Sequence, residues 1–253
     1  MTNPLPADNE LMAKPFAGHL DDLRKLLAWC LLVYAAAALV CMPLTPWLLG
    51  MIQRPLGWAG ITDPDFLRVL DATGGFRTAV RLVGWGGLVV SAPLMMLGIA
   101  WFVFPGLTRR EQGAVRGLVL ICLGLFGAGV WLAWRWVLPV GLRWLLTVND
   151  WMGIACTFME LSAYLAFALQ VMLGFGLAFQ APVILMGLGA LGVLSAGQLR
   201  HYRRHAIVVL MGFAMVMTPP DPWTMLMMSA PLIGLYELSI LGVAMLEART
   251  KRR

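Results

Sequence analysis

Long uncharged apolar stretches alternate with short polar segments along most of the chain. Residues 26–53, 82–108 and 161–199 contain no Asp, Glu, Lys or Arg at all. A helix of roughly 20 apolar residues is long enough to cross a bilayer. The pattern therefore predicts an all-α, polytopic membrane protein with six transmembrane helices in one bundle, at about 26–47, 80–104, 117–138, 161–199, 206–218 and 223–246.

Proline and glycine mark where these predicted spans end or bend. Pro43 and Pro46 bend or end the first span, Pro105-Gly106 ends the second, and Pro182 kinks the unusually long fourth one. The fifth span has so few residues that it would reach only about 20 Å, and the bilayer is expected to thin there. Polar loops are predicted at 50–78 and 143–158.

The basic residues predict the orientation of the bundle. Thirteen of the nineteen Lys and Arg residues fall in four clusters, near positions 14–25, 109–116, 200–204 and 249–253. Lys- and Arg-rich loops stay in the cytoplasm, so both termini are expected there. We predict a single integral-membrane domain, 1–253: a cytoplasmic segment with an amphipathic helix (1–25), the six spans (26–246) and a basic tail (247–253).

Composition and motifs exclude several classes of function. The chain is 60% hydrophobic and 13% charged, against about 25% charged residues in soluble domains. Its net charge of +6 comes from basic residues at the ends of apolar runs, so nucleic acid is not a predicted partner. The glycine pattern at 187–192 lies inside an apolar run and fits helix packing better than dinucleotide binding.

We find no sequence pattern typical of a catalytic or metal site, so we predict that the chain is not an enzyme and has no cofactor. The four cysteines lack metal-ligand spacing, and the three histidines fit interfacial positions better than a metal site. The chain also starts with a polar, proline-rich segment that does not read as a cleavable signal peptide.

The few acidic residues are the most informative polar groups. Asp22 and Glu111 belong to predicted cytoplasmic segments near Arg24 and other basic residues. Local ion pairing is one interpretation. The other is that well-spaced carboxylates bind the guanidinium groups of a short Arg-containing peptide.

Three further polar residues lie in or beside apolar runs. A carboxylate such as Glu237 is costly inside a membrane and usually faces protein or water. Gln180 precedes Pro182, and both Gln180 and Glu237 are also suited to hydrogen bonding between helices. Asp221 follows two prolines in a tight turn, where a helix cap is the simplest role.

Taken in order, these residues resemble the TatC family, the multispanning receptor subunit of the twin-arginine protein translocase. The match extends from His19 to Glu237, and each motif is weak alone but specific as part of the ordered set. The matching segments are HLDDLRKLL (19–27), SAP (91–93), FVFPGL (102–107) running to Glu111, FGLAFQAP (175–182), LR (199–200) with RR (203–204), TPPDP (218–222) and Pro231 to LYE (235–237).

The resemblance implies a six-span, cup-shaped bundle in the bacterial cytoplasmic membrane. It implies binding of twin-arginine signal peptides at Asp22, Arg24 and Glu111, and intramembrane or partner contacts at Gln180, Asp221 and Glu237. Implied partners are TatA- and TatB-type single-span subunits, the folded cargo proteins, the lipid bilayer and further copies of the chain in a receptor complex. Export would use the proton-motive force.

The chain departs from the family pattern at three places. Gln180 replaces the usual Glu, Met225 stands where Gln is frequent, and Gly98-Ile-Ala-Trp101-Phe102 lacks the Gln of a Gln-x-Trp-x-Phe element. Partner contacts are therefore expected to differ. The alternatives are an ion-coupled small-molecule transporter that uses Glu237, a membrane enzyme, and a divergent homologue that only scaffolds other proteins.

Overall fold

Helices form almost all of the part of the chain that the structure describes. The structure is a computed structural model that describes residues 16–103, 112–154, 156–190, 192–217 and 222–250. Its elements in chain order are α1 (Phe16–Cys41), α2 (Thr45–Trp58), β1 (Leu67–Arg68), α3 (Gly74–Val103), α4 (Gln112–Leu132), a π turn (Ala133–Val137), α5 (Leu138–Trp151), β2 (Met159–Glu160), α6 (Leu161–Ala178), α7 (Ala181–Ala190), α8 (Ala196–His201), α9 (Arg203–Met217) and α10 (Pro222–Thr250).

The lengths of these helices confirm an all-α protein that crosses the membrane several times. Within the described residues, five helical segments are long and apolar enough to span a bilayer: Asp21–Cys41, Gly74–Ile99, Leu120–Trp151, Leu161–Gly189 and Met225–Ala248. The predicted fifth span corresponds to α9, which has 15 residues. At about 22 Å, α9 is shorter than the roughly 30 Å of a hydrocarbon core.

Two predicted boundaries are wrong. The first span was expected to reach residue 47, but α1 ends at Cys41, Pro43 lies in the following turn and Pro46 lies in the first turn of α2. A loop was expected from residue 143, but the helix continues through the π turn and α5 to Trp151. The helix continues because Leu138 and Leu142 of α5 are buried in the core, and this burial stabilises helical structure beyond the apolar run.

The central helix of the bundle is α6. Its Leu165, Ala168 and Val171 have no exposed surface. Gly176 of α6 lies so close to Phe126 of α4 that a methyl group there would come within 2.6 Å of the ring. Small residues of this kind let membrane helices approach closely.

A small contact that the sequence did not predict joins the first polar loop to the residues just before α6. β1 and β2 pair in parallel, with Leu67 opposite Met159 and Arg68 opposite Glu160. Nearby, the guanidinium of Arg81 donates a hydrogen bond to the carbonyl of Ser162 at the start of α6. We call the end of the bundle that carries α2, β1 and β2 the loop end.

The opposite end carries both the start of α1 and the end of α10, and we call it the termini end. Helices α1 and α3 are antiparallel, because Trp29 packs against Gly98 whereas Ala38 packs against Gly87. Since α3 begins at the loop end, α1 begins at the far end. The late part of α10 reaches the same end, where Glu247 contacts the start of α8.

Candidate functional site

The first turns of α1 present charged side chains at the termini end. Arg24 is exposed, and Asp22 is partly buried and takes part in an interaction with its surroundings. Asp21 forms an exposed ion pair with Lys25 one turn later, at 3.3 Å. Asp21 is therefore neutralised locally, and it provides a matched comparison for Asp22.

The packing of α1 on α3 brings these turns toward the end of α3, which precedes Glu111 in the sequence. The side chain of Trp29 would lie within 2.5 Å of a methyl group added at Gly98. Continued in the same antiparallel register, the turns that hold Asp22 and Arg24 run alongside the end of α3, at Val103. Glu111 itself lies outside the described residues, as does Asp221, and it immediately precedes Gln112, where α4 begins.

Glu237 has a specific partner, which the sequence did not reveal. Its Oε2 accepts a hydrogen bond from Nη2 of Arg203 at 2.7 Å, and the two side chains are 40% and 50% exposed. Arg203 is the first residue of α9. Glu237 stands fifteen residues beyond the start of α10, or about 22 Å, which equals the length of α9. The ion pair therefore lies where the short helix begins, about halfway along α10.

Two more polar contacts attach α10 to α8 at the termini end. The hydroxyl of Tyr236 donates to the carbonyl of Leu199 at 2.8 Å. The carboxylate of Glu247 accepts a hydrogen bond from the backbone N–H of Ala196 at 2.8 Å. Ser195 and Gln198 complete this helix start as a capping box. That box was readable from the Ser-x-x-Gln spacing, whereas the Glu247 contact depends on the tertiary fold.

Gln180 lies at the break between α6 and α7, and its side chain is 2% exposed. Its Nε2 donates to the carbonyl of Cys122 on α4 at 2.9 Å, while its Oε1 has no partner among the described residues. The helix is interrupted at residues 179–180 because Pro182 has no N–H to continue it. Gln180 therefore joins the break in one span to a neighbouring span.

These groups are arranged for binding and for helix packing. Across the described ranges, no group of three or more His, Cys, Asp or Glu residues is close enough to hold a metal ion. The charged candidate residues that the structure describes lie in a partly exposed ion pair on α9 and α10 and in the first turns of α1.

Comparisons with known proteins agree on one family. The family model for the Sec-independent protein translocase protein TatC matches residues 18–231. The chloroplastic translocase protein TATC of Oryza sativa subsp. japonica is 31% identical over 92% of this chain, which covers 62% of that protein. TatC of Akkermansia muciniphila is 36% identical over 70% of this chain, which covers 51% of that relative.

A comparison with solved structures leads to the same family. The crystal structure of the twin-arginine translocase receptor TatC superposes with a TM-score of 0.79 at 26% identity, over 90% of this chain and 99% of the solved one. The chain belongs to the TatC family. TatC proteins are components of a protein translocase rather than catalytic enzymes, which confirms the prediction that this chain is not an enzyme. The chain spans only about half to two thirds of the two relatives above, yet nearly all of the solved TatC chain.

The structure gives physical reasons for two departures from the TatC pattern. Gln180 acts as a hydrogen-bond donor to Cys122, which an ionised Glu cannot do. Gly98 leaves room for the ring of Trp29, so a Gln side chain at this position would clash with α1. The third residue, Met225, packs against the apolar core without a polar contact among the described residues.

Proposed function

We propose that this chain is the receptor subunit of a twin-arginine translocase. In this proposal it binds the signal peptide's arginine pair through Asp22 and Glu111, and Arg24 binds a carbonyl or acidic group beside that pair. The likeness to a solved twin-arginine translocase receptor supports the proposal. The observation that carries it is the antiparallel packing of α1 on α3, with Trp29 against Gly98. This register brings the first turns of α1 toward Val103, eight residues before Glu111 in the sequence.

The chemistry of this region suits two arginines. A guanidinium binds a carboxylate through two parallel hydrogen bonds, which favours Arg over Lys at such a site. A second carboxylate takes the second guanidinium. The exposure of Arg24 and the partial exposure of Asp22 leave the start of α1 accessible to a peptide.

The finer details of export belong to the same proposal. The basic clusters at the termini end predict that this end faces the cytoplasm, and the bacterial relative supports a bacterial cytoplasmic membrane. Folded cargo would cross with TatA- and TatB-type single-span subunits and the proton-motive force, in a complex with more than one copy of the chain.

Three polar residues are assigned to partner contacts within that complex. Glu237 is partly exposed and accessible to a partner helix, and Asp221 is assigned to the same role from the sequence motif. Gln180 is almost fully buried, so its role would be indirect, through the position of α4 against the α6–α7 break.

Site-specific photocrosslinking in membranes tests the receptor role. A photoreactive residue at position 111 should capture a twin-arginine signal peptide and not its twin-lysine version. In a second set, with the photoreactive group on the peptide, Glu111→Ala should abolish capture and Asp22→Ala should reduce it. Asp21→Ala is the matched control, because Asp21 is already paired with Lys25. Normal capture by both the Asp22 and Glu111 variants, with the protein folded and inserted, would refute the proposal.

A further inference from the structure

The loop end contains a cluster of arginine and tryptophan side chains that the receptor role does not use. In the π turn, Trp134 and Arg135 both reach α2. The indole of Trp134 donates to the carbonyl of Met51 at 3.0 Å, and its ring meets Trp58 edge-on at 4.7 Å. The guanidinium of Arg135 lies 4.5 Å from the centre of the Trp58 ring. π turns add one residue to a helical turn and often occur at functional sites.

Beside this cluster is a cavity of about 370 Å³, lined by Pro46, Trp47, Gly50, Met51, Arg54 and Trp134. Its lining combines one cation, two indole rings and backbone polar groups. Arg54 is exposed, and among the described residues it makes no hydrogen bond or ion pair. The cavity therefore contains a guanidinium that is free to bind an anion.

The cavity lies at the depth of a membrane–water interface. The first span ends at Cys41, so α2 starts just beyond the hydrocarbon. The apolar run that becomes α4 begins near Gly117, and roughly 20 residues cross the hydrocarbon, which brings Arg135 to the polar boundary. Trp47, Trp131 and Trp136 are largely exposed at the same level, as expected of an interfacial aromatic belt.

The arginines around the cavity lack a paired carboxylate among the described residues. Within the part of the chain that the structure describes, no carboxylate pairs with Arg54, Arg135 or Arg143. Arg143 donates to the carbonyl of Trp58, so it adds a third positive charge beside α2. Elsewhere at the loop end, the carboxylates of Asp71 and Glu160 contact Arg77.

We propose that this cavity binds the phosphate headgroup of an anionic phospholipid in the leaflet at the loop end. Arg54 contacts the phosphate, and Arg135, held on the Trp58 ring, adds positive charge. The acyl chains follow the exposed apolar residues that precede the cavity, including Leu39, Val40 and Met42. A zwitterionic phospholipid binds less well, because its own cationic group meets these arginines.

A photoactivatable phosphatidylglycerol in vesicles tests this site, with a matched phosphatidylcholine probe as the lipid control. Peptide mapping should find labelling on residues 45–58 with the first probe and much less with the second. One basic residue near a charged membrane surface corresponds to about a five-fold change in binding, so Arg54→Gln should reduce this labelling about five-fold. Arg54→Lys should retain a larger share of it.

Arg204→Gln is the matched control variant, because Arg204 is exposed at the termini end. It should leave the labelling of residues 45–58 unchanged. Arg54 makes no described hydrogen bond or ion pair in the fold, so its variant should melt like the parent protein. Unchanged labelling in Arg54→Gln, equal labelling by the two lipid probes, or complete displacement by inorganic phosphate would each overturn the proposal. The last result would indicate a soluble anion instead of a lipid.

Discussion

Replacing the buried Gln180 with Leu should not destabilise the protein, although it removes an interhelical hydrogen bond. Losing the hydrogen bond from Nε2 to the carbonyl of Cys122 lowers the unfolding free energy, because bonds of this kind contribute about 0.6–1.5 kcal/mol. The carbonyl of Cys122 keeps its own helical donor in α4. The opposing term is the buried Oε1, which has no partner among the described residues and costs about 1–3 kcal/mol. The net change is expected to lie between about zero and 2 kcal/mol of added stability.

Gln170→Leu is the matched control for this substitution. Gln170 donates to the carbonyl of Val216 at 2.8 Å. In a helix that carbonyl would be paired with the residue four positions on, but Pro220 has no N–H to donate. Because this hydrogen bond is exposed, losing it should lower the unfolding free energy by about 0.5–1.5 kcal/mol.

Unfolding free energies from detergent–denaturant titration in mixed micelles measure both changes. A loss of more than about 1.5 kcal/mol in Gln180→Leu would contradict the reasoning, because it would mean that Oε1 has a partner, such as a bound water. Export measured in the same variants separates function from stability. Loss of export by a stable Gln180→Leu protein would show that the polar amide is needed for transport.

Two further predictions concern helix contacts. Glu237→Gln should lower the unfolding free energy by no more than about 1 kcal/mol, because the ion pair of Glu237 with Arg203 is partly exposed. The double variant Glu237→Arg with Arg203→Glu restores an ion pair, so its unfolding free energy should lie close to that of the parent protein in the same titration. Gly98→Ala should cost about 1–3 kcal/mol through contact with Trp29, whereas Gly124→Ala, with no neighbour within 4 Å, should not lower the thermal midpoint.

Most of the spans could be predicted from the sequence because the bilayer imposes one requirement on all of them. A run of about 20 apolar residues must be helical to satisfy its backbone in lipid, whatever it packs against. The break near Pro182 was also predictable, since proline lacks the N–H that helix needs. The short α9 followed from the few residues between the basic cluster at 200–204 and the prolines after it.

The continuation of helix to Trp151 was not predictable in the same way. Residues 143–151 include Arg143, Asn149 and Asp150, which read as loop when taken alone. They are helical because α5 extends a helix whose Leu138 and Leu142 are buried in the core. The π turn and the parallel pairing of β1 with β2 also depend on neighbours that are distant in sequence.

The candidate site shows the same division. Sequence placed Asp22 and Arg24 at the start of α1, and it identified Glu237 as a carboxylate within an apolar run. It could not show that Arg203 would pair with Glu237, because the two residues are 34 positions apart and meet only where α9 begins against α10.

The sequence by itself determined where most of the membrane-spanning segments lie, where proline interrupts them, and which family they match, because hydrophobic length and local backbone chemistry need no partner. Only the tertiary structure decided which polar groups are satisfied. It paired Gln180 with Cys122 and Glu237 with Arg203, and it left Arg54 without a described partner beside a cavity. A polar side chain in or near a membrane needs a partner, and only helix packing determines which group is within reach.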